Sequence, residues 1–135
     1  PFKTVSSAQP SDGSEPIPLV THTSPTRPIN LYGCSKVWGE GIARAYADTH
    51  GLSCLASRLG WVLAEDRPPY PEARFTWCSQ RDAARLVSCC IDAPDALKFD
   101  IFYAMNSDPN CSMDIQHARD VLGWEPLDKS ADYLD

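Results

Sequence analysis

The sequence is most easily bounded by what it lacks. It has no apolar run approaching the roughly 20 residues that a membrane-crossing helix needs, so no membrane partner is expected. It has no block of Lys and Arg. The 12 basic and 18 acidic residues leave a net charge of −6, which argues against a nucleic-acid partner. Internal repeats and low-complexity tracts are missing, and no signal-type segment is visible. No CxxC pair occurs, and His22, His50 and His117 show no ligand spacing to the cysteines, so no metal site is expected. What remains is 43% hydrophobic and 22% charged, the composition of an ordinary soluble domain. Six cysteines are present, several inside apolar runs, where a free thiol behaves as a small hydrophobe. Reduced cysteines, and with them a cytoplasmic setting, are the expectation.

The pattern along the chain alternates strands and helices. Residues 2–7 read as a strand that ends in a loop. Residues 9–30 hold five prolines and several Ser and Thr, and read as a long loop. Loops of that length in a compact domain usually serve function. Leu31–His50 is the strongest helix signal, with Val37, Trp38, Ile42, Ala45 and Tyr46 along one stripe and Gly51 as the cap. Residues 52–59 read as a buried strand closed by Gly60. A proline-rich loop follows at 64–73. A helix spans 80–91, with Ala83, Ala84, Leu86, Val87 and Cys90 proposed for its buried face. A strand at 100–105, a helix at 113–122 stopped by Gly123, and an irregular tail at 124–135 complete the reading. Helix, glycine and buried strand in that order belong to a parallel α/β unit.

Tyr32 and Lys36 carry the chemistry. They stand four apart at the start of a helix and so project from one face. A free phenol holds its proton to about pH 10. A neighbouring ammonium favours the phenolate, and a phenol so tuned can exchange a proton with a sugar hydroxyl or carbonyl near neutral pH. The spacing alone is common and equally describes a core tyrosine beside a surface lysine. Ser7 adds context. It ends a strand 25 positions before Tyr32, at the kind of strand end where parallel α/β sheets place ligands.

The runs Val5-Ser6-Ser7-Ala8 and Pro28-Ile29-Asn30-Leu31-Tyr32-Gly33-Cys34-Ser35-Lys36-Val37-Trp38-Gly39-Glu40 resemble the extended short-chain dehydrogenase/reductases, which include NAD-dependent epimerases and dehydratases. Ser57-Arg58-Leu59-Gly60-Trp61-Val62 resembles the strand and turn after the family's Tyr helix. The segment from Thr76 to Leu86 is close in pattern to the uronate dehydrogenases. Ala118 to Pro126 resembles the family's C-terminal helix and its ending. Together these runs cover nearly the whole chain.

The resemblance implies an α/β fold: the later strands of a Rossmann-like, doubly wound parallel sheet plus a small C-terminal substrate-binding region. Residues 1–135 would form the C-terminal part of one NAD(P)-binding domain. The glycine-rich fingerprint is not in this stretch, so by itself it is expected to be inactive. The resemblance further implies NAD- or NADP-dependent oxidoreductase, epimerase or dehydratase chemistry on a sugar, uronic acid or nucleotide sugar. A non-catalytic dinucleotide sensor or scaffold is the alternative. Ser7, Tyr32 and Lys36 fall on the catalytic positions. Lys36 would also hold the cofactor's ribose, with Tyr32, Leu59 and Gly60 lining the cofactor. Ser7, Gln9 and Arg74 would meet substrate. Ala8-Gln9 replace the Asn-His that uronate dehydrogenases carry after the serine, which puts a uronate substrate in doubt. The family tends to pair through the Tyr/Lys helix, so a homodimer is expected.

The remaining candidates read as structural. Asp82 is expected to serve the start of its helix. Trp38, Trp61, Trp77 and Trp124 are expected to pack. His22 lies in the long loop with no evident partner.

Overall fold

The structure, a computed structural model, describes residues 18–133; the expected strand at 2–7, Ser7 and Gln9 lie outside them. Five regular elements follow in order: α1 (Leu31–His50), β1 (Cys54–Leu59), α2 (Gln80–Ile91), β2 (Phe99–Ala104) and α3 (Gln116–Leu122). Short 3-10 turns span Pro71–Thr76 and Ser130–Tyr133. The first closes the loop expected at 64–73, and the second lies within the tail expected to be irregular.

Strands β1 and β2 pair in parallel, with Cys54 opposite Phe99 and Leu59 opposite Ala104. Side chains alternate between the two faces of such a sheet. Arg58 and Tyr103 point to α1, where Glu40 meets Arg58. Phe102 and Ala104 point the other way, into a core with Cys78, Ala83, Leu86, Ala118 and Trp124 from α2, α3 and the flanking segments. The sheet thus has a helix on one face and two on the other, as a doubly wound α/β arrangement requires.

Local chemistry explains the boundaries. Asn30 caps α1, its Oδ1 accepting from Gly33 N at 2.8 Å, and Gly51 ends the helix in the left-handed region at φ 66°. Gly123 ends α3 in the same way. That helix is shorter than the expected 113–122. Val20 claims the backbone before it, donating to Ser112 O at 2.6 Å and accepting from Asp114 N at 2.9 Å.

Two helix faces differ from the expected ones. On α1 the inward side carries Val37, Glu40, Ala43 and Ala47, while Trp38, Ile42, Ala45 and Tyr46 face out. The Glu40–Arg58 pair sets that rotation. On α2, Asp82, Ala83 and Leu86 are buried, and Ala84 and Val87 are exposed. Asp82 turns the helix, because its carboxylate accepts from Leu127 N and Asp128 N at 2.9–3.0 Å and from Arg85 at 3.0 Å.

Candidate active site

The site is built at the C-terminal ends of the strands and along the first turns of α1. Tyr32 and Lys36 lie on one face of α1, with Lys36 Nζ 5.0 Å from the centre of the Tyr32 ring. The tyrosine is 71% exposed, so its phenol is open to a ligand. Ser35 lies between them and turns its Oγ back to Tyr32 O at 2.7 Å, which leaves the Tyr32–Lys36 face clear. A cavity of about 300 Å³ reaches Lys36 from the inward side of α1, lined in part by Lys36, Glu40, Arg58, Tyr103 and the 24–28 segment, without Tyr32 in its lining.

Beyond β1, the strands separate and the segment at Trp77 enters between them. Gly60 N donates to Ala104 O at 3.0 Å and Trp61 N to Thr76 O at 2.8 Å, while Asn106 N donates to Trp77 O at 2.9 Å. A Cβ on Gly60 would stand 2.1 Å from Thr76 O, so only glycine permits this approach. Leu59, at the end of β1, is 47% exposed.

Arg74 sits in the 3-10 turn just before Thr76. Its guanidinium lies 4.6 Å from the centre of the Phe75 ring and its Nε is 3.9 Å from an Asp108 oxygen. Asn106, buried at 2% exposure, holds this turn by donating from Nδ2 to both Arg74 O and Trp77 O. The contacts therefore join Tyr32 to Lys36, and Gly60 and Trp61 to the segment that carries Arg74.

Several groups were not visible in the sequence pattern. Arg58 reaches from β1 to α1 with two bonds to the Glu40 carboxylate, at 2.7 and 2.8 Å, and a third to Tyr103 Oη at 2.8 Å. The bonds that Arg58 donates to Glu40 hold its guanidinium above its ordinary range, against the pull of burial. The Lys36-to-Glu40 spacing of four was the available signal.

His22 is corrected from a residue without a partner. Its ring stacks on His117 at 3.6 Å with planes 12° apart, and His117 Nε2 lies 2.9 Å from Asp100 Oδ1. Donor atoms of His22, Asp100 and His117 fall within 4.8 Å of one another. Stacked rings aim their lone pairs side by side rather than at a shared point, so the arrangement suits a packed pair better than a chelate.

Among the tryptophans, Trp77 and Trp124 are fully buried, whereas Trp38 and Trp61 are 71% and 49% exposed and do not pack as expected. All six cysteines are free thiols. Burial pushes Cys78 up to about 12 and raises Cys90 and Cys111 as well, which makes them poor nucleophiles. Among the described residues no helix is long and apolar enough to cross a membrane.

Comparison with known proteins places this geometry. The chain is 38% identical over 109 residues to an NAD-dependent glucose-6-phosphate dehydrogenase of Haloferax volcanii, covering 79% of this chain and 40% of that protein. It is 32% identical over 106 residues to a uronate dehydrogenase of Agrobacterium fabrum, covering 78% of the chain and 38% of the relative. The crystal structure of uronate dehydrogenase from Agrobacterium tumefaciens superimposes with a TM-score of 0.77 at 29% identity, covering 85% of this chain and 42% of that one. The chain thus spans about 40% of the length of the relatives it matches. The profile of the NAD dependent epimerase/dehydratase family matches residues 2–76, more than half of the sequence. On that match, and on the parallel α/β frame beneath it, the chain belongs to the NAD dependent epimerase/dehydratase family.

Proposed function

We propose that the protein carrying this chain is an NAD-dependent dehydrogenase that oxidises a hydroxyl of a sugar or sugar acid, with Tyr32 as its acid/base. One observation carries the reading: an exposed phenol with an ammonium 5.0 Å from its ring centre, on one helix face of a chain from this family. Tyr32 Oη takes the hydroxyl proton as the alcohol becomes a carbonyl. Lys36 favours the phenolate form of Tyr32 that accepts this proton, and binds the ribose of the cofactor. Bound NAD supplies the acceptor for the hydride leaving the same carbon. Ser7 holds the reacting oxygen and Gln9 donates beside it, while Leu59 and Gly60 present backbone at the nicotinamide end. The phenol and ammonium donors suit this group. The relatives named for NAD favour it over NADP.

Arg74 is read as the group that selects an anionic substituent on the sugar, since a guanidinium fits a carboxylate or a phosphate equally well. Relatives acting on glucose 6-phosphate and on uronates support both forms. The test is NADH formation by the full-length protein on sugar phosphates, uronates and neutral sugars, with Tyr32→Phe beside the parent. Loss of a general acid/base lowers turnover by about 10²–10⁴. The variant is expected to fall in that range with nearly unchanged NAD affinity. A variant within a factor of two of the parent would remove Tyr32 from the chemistry.

The exposed Trp38, Ile42 and Tyr46 stripe supports a homodimer of the full-length protein through α1, because that face is not used against the sheet. Light scattering at micromolar concentration is expected to give twice the protomer mass; a monomer would reject the pairing.

A further inference from the structure

The arrangement of Glu40 bears directly on how Lys36 is kept available. Lys36 and Glu40 are four apart on α1 and both line the cavity beside the candidate site. Oppositely charged side chains at that spacing are neighbours on a helix and attract. A Lys36–Glu40 pair would draw the ammonium back along the helix and cancel its charge. Among the described residues, Lys36 makes no salt bridge. Glu40 is already engaged. Both of its oxygens accept from Arg58, at 2.7 and 2.8 Å, and both side chains are only 19% exposed. Such a two-pronged guanidinium–carboxylate contact is stronger and more directional than a lysine contact. Tyr103 Oη accepts the remaining guanidinium branch at 2.8 Å and fixes Arg58 from β2.

We infer that Arg58 is a positioning residue for the proposed oxidation: by holding Glu40, it keeps Lys36 unpaired for Tyr32 and the cofactor ribose. The inference rests on the dehydrogenase reading above. Without Arg58, a half-buried carboxylate one turn from Lys36 has no cation of its own. Burial makes an unpaired charge costly, so Glu40 turns to the nearest ammonium. Lys36 then serves Glu40 instead of the phenol and the ribose.

The test compares Arg58→Met with the double variant Arg58→Met/Glu40→Gln in the full-length enzyme. Arg58→Met is expected to raise KM for NAD by roughly tenfold, as expected for losing a charged contact, and to move the acidic limb of the pH–rate curve for oxidation, where the Tyr32 base is protonated, to higher pH. The double variant removes the competing carboxylate and is expected to restore both toward the parent. A residue that merely pinned α1 to the sheet would give the opposite pattern, since the double variant has lost both halves of the pin. A double variant no better than Arg58→Met overturns the inference, as does an Arg58→Met curve superimposable on the parent's. If Arg58→Met does not fold, by circular dichroism, the comparison runs with Arg58→Gln, which keeps a donor for Tyr103. The Tyr32→Phe control separates the two failures. If it matches the parent, the dehydrogenase reading has failed. If it loses turnover while the Arg58 variants behave as the parent, only the role of Arg58 has failed.

Discussion

The two halves of the described chain are built for different tasks. From Trp77 onward, the largest side chains of the core are sealed: Trp77, Leu86, Phe102 and Trp124 are fully buried, and Asn106, Trp124 and Asp82 among them are bonded to backbone. Upstream, from the loop into α1, large side chains lie open. Ile29 and Leu31 are 92% and 88% exposed, and Tyr32 and Trp38 are both 71% exposed. Ala47 is the one buried residue of α1. The residues proposed for chemistry fall on the open half and the packing density on the sealed half. Residues proposed for reaction and residues that carry stability are therefore largely separate sets.

That separation is broken most directly at Asp82. Its carboxylate is 1% exposed and collects the backbone of Leu127 and Asp128 as well as the Arg85 guanidinium. The same junction is doubled by Ser79, which caps α2 at Asp82 N and donates to Asp128 at 2.6 Å. Burial pushes the Asp128 carboxyl up, but bonds from Ser79 and Arg81 outweigh it and leave the group below its ordinary range. Removing one partner of such a buried charged network typically costs about 3–5 kcal/mol. Asp82→Ala is expected to lower folding stability on that scale, read as a shift in the denaturant midpoint. Tyr32→Phe should leave the midpoint in place while removing turnover. An Asp82 variant as stable as the parent would mean that the tail is not part of the core.

How much of this was legible follows the same division. The regular elements announced themselves through glycine caps and apolar spacing: α1 and α2 have the expected bounds, and the two strands among the described residues lie within two residues of their expected limits. The faces were harder. Both inward surfaces are set by a charged residue, Glu40 on α1 and Asp82 on α2, whose partners lie 18 and 45 positions away. Counting apolar residues cannot find a face chosen by a distant ion pair. The Tyr32–Lys36 pair was visible because both residues sit on one helix. Asn106, His117 and Arg58 were not, since each acquires its role from chain far off in sequence. Gly60 was read as a cofactor-lining backbone. Its observed task, admitting the Thr76 carbonyl, needed the return of residues 76–78 to be seen.

The smaller test lies at the seam between the halves, where the segment before α1 crosses onto β2 and α3. His22 is the titratable group that the incoming segment brings to the seam. Burial lowers its proton affinity first, the facing His117 lowers it further and Arg58 adds to that, while Asp100 and Asp114 act in the opposite direction. Phe102 stacks against His117 at 5.2 Å and is uncharged. Because the folded chain binds this proton less readily than the unfolded chain, the contribution of His22 to stability is intact above the ordinary histidine value, near 6.5. It is lost progressively as pH falls from there toward the lowered value in the fold. The loss should appear locally, at the bridge that Val20 makes with Ser112 and Asp114. Hydrogen exchange at Val20 N, corrected for the intrinsic rate, is expected to lose protection between pH 6.5 and 5 while amides in β2 keep theirs. His22→Phe retains a flat ring to stack on His117 but has no proton to gain, so protection at Val20 should become nearly independent of pH. Equal pH dependence in parent and variant would show that the seam is held by its backbone bonds alone, and that the two halves are joined without help from the histidine stack.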